Sequence, residues 1–253
     1  MNYLQLNEHS KFDKEEQELA DFFGEGNYTP YYKKHMVRGK IKVTKDDFVA
    51  GEIPSTFAAL KQLGVDYEYQ DYPESLSKYL HRNIWISTMA EIRSKLFDTG
   101  QIDPVFIKPK DSLKKFTGFV ITCIDDLMYT NHAGNNTSIY CSEPVIWLSE
   151  FRCPVINEEV RGMFRVPYTC HDTDVHPDFN VVQQMADDFK DSPKAYCLDV
   201  GVLSTGETAL IEVNDGFSVG MYGMSKELYA ELLQTRWKEL AEKGKDGSNG
   251  KLF

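Results

Sequence analysis

Three oxygen-bearing side chains stand close together late in the chain: Asp199 in the apolar run AYCLDVGVL, and Glu212 and Asn214 in TALIEVNDG. Residues two apart on a strand share a face, and a hairpin of the two runs sets Asp199 opposite them. Carboxylates and a carboxamide are hard oxygen donors that suit Mg²⁺, an ion that keeps waters and substrate phosphates in its shell. Acids inside apolar strands are costly unless paired or metal-bound. A solvated face is the alternative, because Glu212 is flanked by Leu210, Ile211 and Val213. Magnesium with phosphates implies a nucleotide.

Two earlier segments could serve the same chemistry. In FIKPKDSLKKFTGFV, Lys108 ends a strand and is followed by Pro109, a charged loop and Gly118; an ammonium there can meet phosphate while the loop covers it. A solvated hairpin with surface lysines explains the same residues. In SEPVIWLSEF, an extended connector offers backbone groups to an adenine edge, and Glu150 can accept both ribose hydroxyls. Pro144 lacks an N–H, so donation to the ring falls to a later residue such as Ile146. A strand crossing with two exposed acids, Glu143 and Glu150, is the competing reading.

Taken in order, these motifs resemble the ATP-grasp superfamily over roughly residues 88–224: Lys108 in a KP strand, a glycine-containing loop from Lys110 to Gly118, Glu143 with Glu150 seven residues on, then Asp199 and the Glu-x-Asn of Glu212 and Asn214. The lead-in segments EIPSTFAALKQLG and DYPESLSKYLHRNIW look like the first lobe of small stand-alone members from bacteria and their viruses. The resemblance implies Lys108 on the α or β phosphate and Lys114, Lys115, Thr117 and Gly118 over the triphosphate, with Lys115 preferred of the two lysines. It implies Glu143 and the backbone near Ile146 on adenine, Glu150 on the ribose, and Asp199, Glu212 and Asn214 on two magnesium ions, with manganese as a substitute.

The chain also departs from its relatives. Many carry a lysine in the helix leading out of the first lobe, where Glu91 stands here with Arg93 and Lys95 nearby; ligases acting on D-alanine carry an arginine two residues before the metal Asp, where Cys197 stands. A cation is still needed for the charge that develops on a transferred phosphoryl group. Arg152 is the first candidate, so Lys108 and Arg152 form the expected catalytic pair, with Arg161 and Arg165 behind them and surface ion pairing as the other explanation. Arg82 and the loop GFSVGMYG, through Ser218, Gly220 and Tyr222, are acceptor-binding candidates, although a plain Gly-rich turn explains the loop equally. TCHDTDVH, with His171, Asp172, Asp174 and His176, reads as an exposed loop rather than a metal site.

The elements that must hold these residues are expected to be mixed α/β (α+β). Helices are predicted over 13–24, 54–63, 74–81, 88–97, 179–189 and 225–243, a strand over 65–69, and irregular chain over 25–40. From Val105 the pattern is strand-rich, with Asn157 and Glu158 as a tight hairpin turn. The tail GKDGSNGKLF reads as frayed. This predicts an ATP-grasp fold: an N-terminal α/β lobe over 1–97, then an ATP-grasp domain over 98–253 with a strand-rich lid at about 104–143 and a C-terminal lobe, ATP lying between two sheets.

The bulk properties narrow the classes. A net charge of −11 over 253 residues argues against sequence-independent nucleic-acid binding. Five scattered cysteines without a CxxC pair read as reduced thiols, and the polar MNYLQLNEHSKFDKEEQ segment is expected to be neither signal peptide nor membrane anchor. The expected protein is cytoplasmic, with small-molecule or peptide carboxylate and amine substrates and no nucleic-acid or membrane partner. The expected activity is ATP-dependent carboxylate–amine ligation through an acyl phosphate; the alternatives are a kinase of the same fold and a non-catalytic nucleotide-binding module.

Overall fold

The computed structural model describes residues 1–67, 70–110, 115–167 and 174–244. Its described residues form three sheets, each carrying one part of the cleft. No described helix is long and apolar enough to cross a membrane.

The first sheet is parallel, in the order β2-β1-β3, from β1 (Asn2–Leu6), β2 (Thr29–Tyr32) and β3 (Phe48–Ala50). Parallel neighbours need crossovers, and these contain α1 (Lys14–Phe23) and α2 (Lys33–Val37); α3 (Ile53–Gln62) follows β3. The segment 25–40, expected to be irregular, therefore contains a strand and a helix. Pro30, read as a breaker, is tolerated because β2 is an edge strand and pairs on one side only. The strand expected over 65–69 is absent from 65–67, where Val65 and Tyr67 instead pack against the core of this lobe; 68–69 lie outside the described residues. The helix expected over 74–81 is a short 3₁₀ segment, Glu74–Tyr79, and His81 leaves it in the left-handed region at φ 49°.

The second sheet is antiparallel, in the order β4-β7-β5-β6, from β4 (Ile84–Thr88), β5 (Gln101–Pro109), β6 (Phe119–Cys123) and β7 (Ser138–Ser142). Its inner face buries Ile107, Ile121 and Ile139 against Met89, Ile92 and Leu96 of α4 (Met89–Thr99). The Thr88 hydroxyl caps that helix by accepting from the Glu91 N–H. By pairing, β4 belongs to this sheet although it lies ahead of residue 97.

The third sheet runs β10-β8-β11-β12, with β9 added beside β8: β8 (Trp147–Ile156), β9 (Glu159–Val160), β10 (Phe164–Arg165), β11 (Ala195–Leu203) and β12 (Thr208–Asp215). Asn157 and Glu158 close β8 onto β9 at φ 51° and 68°, the two-residue turn that their position predicts. The run from Trp147 to Ile156 is one strand, broken from β7 by the connector at Glu143–Ile146, where Pro144 has no N–H to offer a ladder.

Alternation gives this sheet two faces. Phe151, Cys153, Val155, Leu198, Val200, Leu210 and Val213 are buried with Val182, Met185 and Ala186 of α5 (Phe179–Asp188). The side chains between them, Glu150, Arg152, Asp199, Glu212 and Asn214, look the other way, toward the second sheet. Farther along that face Ile156, Ala195 and Cys197 join the core formed with α6 (Lys226–Lys243) and the first lobe.

Candidate active site

The pairing of β8, β11 and β12 sets three charged residues in one row. Arg152 is opposite Asp199, and Asp199 is opposite Glu212. The register slips after Asp199, where Val200 pairs with Leu210, so the β12 side carries one extra residue, Ile211, and the strand bends beside the site. Glu212 and Asn214 share the face, as a two-residue spacing requires.

Short hydrogen bonds knit the row together. Arg152 Nε and Nη2 donate to Asp199 Oδ1 and Oδ2 at 2.8 and 2.7 Å, and its Nη1 donates to the Gly220 carbonyl at 3.2 Å. The guanidinium also stacks over Tyr222, 4.5 Å from the ring centroid. Asn214 Nδ2 donates to Asp199 Oδ2 at 2.8 Å and Glu212 Oε1 at 3.2 Å, so both carboxylates converge on one point. From the second sheet, Lys108 Nζ reaches Glu212 Oε2 at 2.5 Å and Asp71 Oδ2 at 2.6 Å, with the Tyr72 ring centroid 4.8 Å away.

Two cavities meet at Lys108 and Glu212, which line both. One, of about 300 Å³, is an apolar slot between Phe106 and Phe119 of the second sheet, the connector residue Val145, and Trp147 and Ile211 of the third. The other, of about 360 Å³, holds four carboxylates (Asp71, Glu150, Asp199, Glu212) and three cations (Lys108, Lys110, Arg152). Gly201 keeps the slot open, because a Cβ there would collide with the Ser149 carbonyl oxygen and lie 2.7 Å from Trp147 Cε3.

Burial dominates the electrostatics. It pushes Glu150 up to about 7, with Asp199 and Glu212 adding to the rise. Burial also opposes charge on Lys108, but Glu212, Tyr72 and Asp71 outweigh it and hold the ammonium above its ordinary range. Glu212 is held below the usual carboxylate range, since Lys108 and Asn214 overcome its desolvation. The Cys197 thiol, pushed up to about 12 by burial, packs in the core with no room for a cation, while Arg152 reaches Asp199 from the neighbouring strand.

The other sequence-predicted residues fall in distinct places. Thr117, Gly118, Ser218, Gly220 and Tyr222 line the polar cavity with Glu150. Arg82 lines the apolar slot instead, donating to the carbonyls of Leu80, Leu210 and Ile211 and stacking over Trp147. Glu143 is on the slot's rim, held by the Asn83 carboxamide at 2.8 Å. Ile146 is 62% exposed, and its carbonyl accepts from the Ser204 N–H; Val145 and Trp147 form the slot wall. Lys115 donates to Thr137 Oγ1 at 3.4 Å rather than lining either cavity; Lys114 lies outside the described residues. Arg161 pairs with Glu231, Arg165 lies over Phe151, Glu91 accepts from Ser87, and Arg93 bonds Asn135 and Ala133; neither these residues nor Lys95 line the two cavities. His176 stacks on Phe151, whereas His171 and Asp172 are outside the described residues. Among the described residues no group of three or more His, Cys, Asp or Glu side chains is arranged to hold a metal ion.

Sequence reasoning missed Asp71, Tyr72 and Tyr140. Tyr72 and Tyr140 meet edge to face at 4.8 Å, and both rings lie beside the Lys108 ammonium. Asp71 is 6% exposed, a costly place for a carboxylate without a partner. Its aromatic neighbour in QDYPES is the only local hint that it is enclosed.

Solved structures share this architecture. D-cycloserine synthetase DcsG is 11% identical, over 95% of this chain and 100% of its own, with a TM-score of 0.56. D-alanine–D-alanine ligase from Bacillus anthracis, solved with ATP, is 14% identical over 96% and 98%, TM-score 0.53. A RimK domain protein ATP-grasp from Sphaerobacter thermophilus is 12% identical over 93% and 99%, TM-score 0.53. The fold is thus ATP-grasp, mixed α/β. Residues 79–232 match the family described as ATP-grasp domain, R₂K clade family 2, and the chain belongs to that family. No curated protein matches its sequence.

Proposed function

We propose that this protein is an ATP- and magnesium-dependent carboxylate–amine ligase that forms an amide or peptide bond through an acyl phosphate. The observation that carries this reading is the junction at Lys108 and Glu212, where a flat apolar slot opens into a pocket of acids and cations. The slot suits an adenine ring between the aromatic side chains of two sheets. The polar pocket suits the phosphates and the carboxylate that receives one of them.

The residues take roles that follow from placement. Lys108 meets the α or β phosphate, and Thr117, Gly118 and the rest of that loop cover the chain of phosphates. Arg152, oriented by Asp199 and Tyr222, faces the charge that develops on the transferred group. Glu150 accepts the ribose hydroxyls. Ser218, Gly220 and Tyr222 border the space left for the acceptor.

Four carboxylates against three cations in the pocket would repel a triphosphate, so a further cation is required. Asp199, Glu212 and Asn214 fit magnesium: they are hard donors, and the two carboxylates already converge on the Asn214 carboxamide. When bound, two such ions offset phosphate charge and align the reacting oxygens; manganese would serve similarly. The γ-phosphoryl group passes to a carboxylate oxygen, releasing ADP, and an amine then displaces phosphate from the acyl carbon. No protein nucleophile is needed, and the buried neutral Cys197 supplies none.

ATP turnover with amino acid, dipeptide and cell-extract fractions, followed by product mass spectrometry, tests the reading. Condensed product, ADP and free phosphate are expected. A stable product carrying the phosphate would identify a kinase instead, and ATP binding without turnover would identify a nucleotide-binding module.

A further inference from the structure

We infer that Asp71 is a positioning residue for Lys108, aiming the ammonium at the nucleotide. This rests on the proposed contact between Lys108 and phosphate. Asp71 is fixed at two points: its carbonyl accepts from the Val213 N–H at 2.9 Å, beside Glu212 on β12, and its carboxylate holds Lys108 Nζ at 2.6 Å. The lysine is on β5 of the second sheet and Glu212 on β12 of the third. Asp71 precedes both in the chain and bridges them.

The donor count gives this bridge its consequence. An ammonium has three N–H groups. Asp71 and Glu212 take two of them, and the Tyr72 and Tyr140 rings lie 4.8 and 5.8 Å away. One N–H is left, and its direction is set by the other two. A lysine stem is flexible enough to abandon that direction if one anchor is lost. Without Asp71 the ammonium would be drawn further onto Glu212 and compete for a carboxylate that the magnesium ions are proposed to need. Asp71 thereby keeps Lys108 available to phosphate and Glu212 available to metal.

The test is a double-mutant cycle on ATP binding, measured by titration calorimetry at saturating Mg²⁺ with Asp71→Ala, Lys108→Gln and the double variant. Asp71→Ala is expected to weaken ATP binding by about tenfold or more in the presence of Lys108, and to cost almost nothing further in the Lys108→Gln background. Asp71→Asn keeps an oxygen acceptor without the charge and should lose less; it carries the same cycle if Asp71→Ala does not fold. Equal losses in both backgrounds, or a folded Asp71→Ala that binds ATP as the wild type does, would overturn the positioning role. A wild-type protein that binds ATP while the cycle shows no coupling overturns this inference alone. A wild-type protein that binds no ATP overturns it together with the proposed function.

Discussion

Arg152 and Asp199 face each other across β8 and β11 and close a two-bond ion pair, at 2.8 and 2.7 Å, with both side chains almost wholly buried. Fork-to-fork geometry of this kind fixes orientation as well as charge. It sets the guanidinium at the wall of the polar cavity, beside Gly220 and Tyr222.

Breaking that pair from one side leaves a buried charge without its partner. Arg152→Met should therefore lower stability by about 3–5 kcal/mol, read from urea unfolding, and eliminate ADP formation. Arg152→Met/Asp199→Leu should recover much of the stability and none of the activity. Recovery of turnover in the double variant would show that neither residue serves the chemistry.

Gly201 is the narrowest point of the apolar slot. An added methyl would collide with the Ser149 carbonyl, a backbone atom that cannot swing aside, and with the Trp147 ring. Gly201→Ala should cost about 1–3 kcal/mol of stability through overpacking and raise the KM for ATP more than it lowers kcat. An unchanged KM would place the adenine elsewhere.

Glu150 supplies a pH signature. Its carboxyl rises from 4.5 to about 7 on burial, so the folded form binds the proton more tightly than the unfolded chain. The resulting stabilisation is complete below about 4.5 and is lost as pH rises through about 7. Glu16 rises to about 7 for the same reason and adds to the slope. Melting temperature should fall between these limits, and Glu150→Gln should flatten part of that fall. The Glu150→Ala variant should raise the ATP requirement with a smaller loss of maximal rate. A wild-type slope retained in full by Glu150→Gln would contradict the assignment.

Much of the site was legible because its signals are local. The two-residue spacing of Glu212 and Asn214, the turn at Asn157 and Glu158, and the apolar runs around Asp199 each follow from the alternation of a strand. The parts that were not legible depend on distant partners. The first sheet is built from strands of three to five residues, too short to show a period, and one of them contains Pro30. Strand β4 finds its partner only at β7, across α4, β5 and β6. Asp71 meets Lys108 only after two sheets close on each other, so no spacing announces it. Arg82 looked like a residue for the acceptor and instead braces the slot, because the bend at Ile211 turns backbone carbonyls toward it.

The central claim concerns the junction of Lys108 and Glu212, and ADP release by Glu212→Gln tests it most directly. With the carboxylate and amine substrates identified from extract fractions, the wild type should release ADP and phosphate with a condensed product. Glu212→Gln, folded by its circular dichroism and melting curve, should release ADP at least about a hundredfold more slowly. Wild-type ADP release by that folded variant would contradict both the metal assignment and the mechanism built on it.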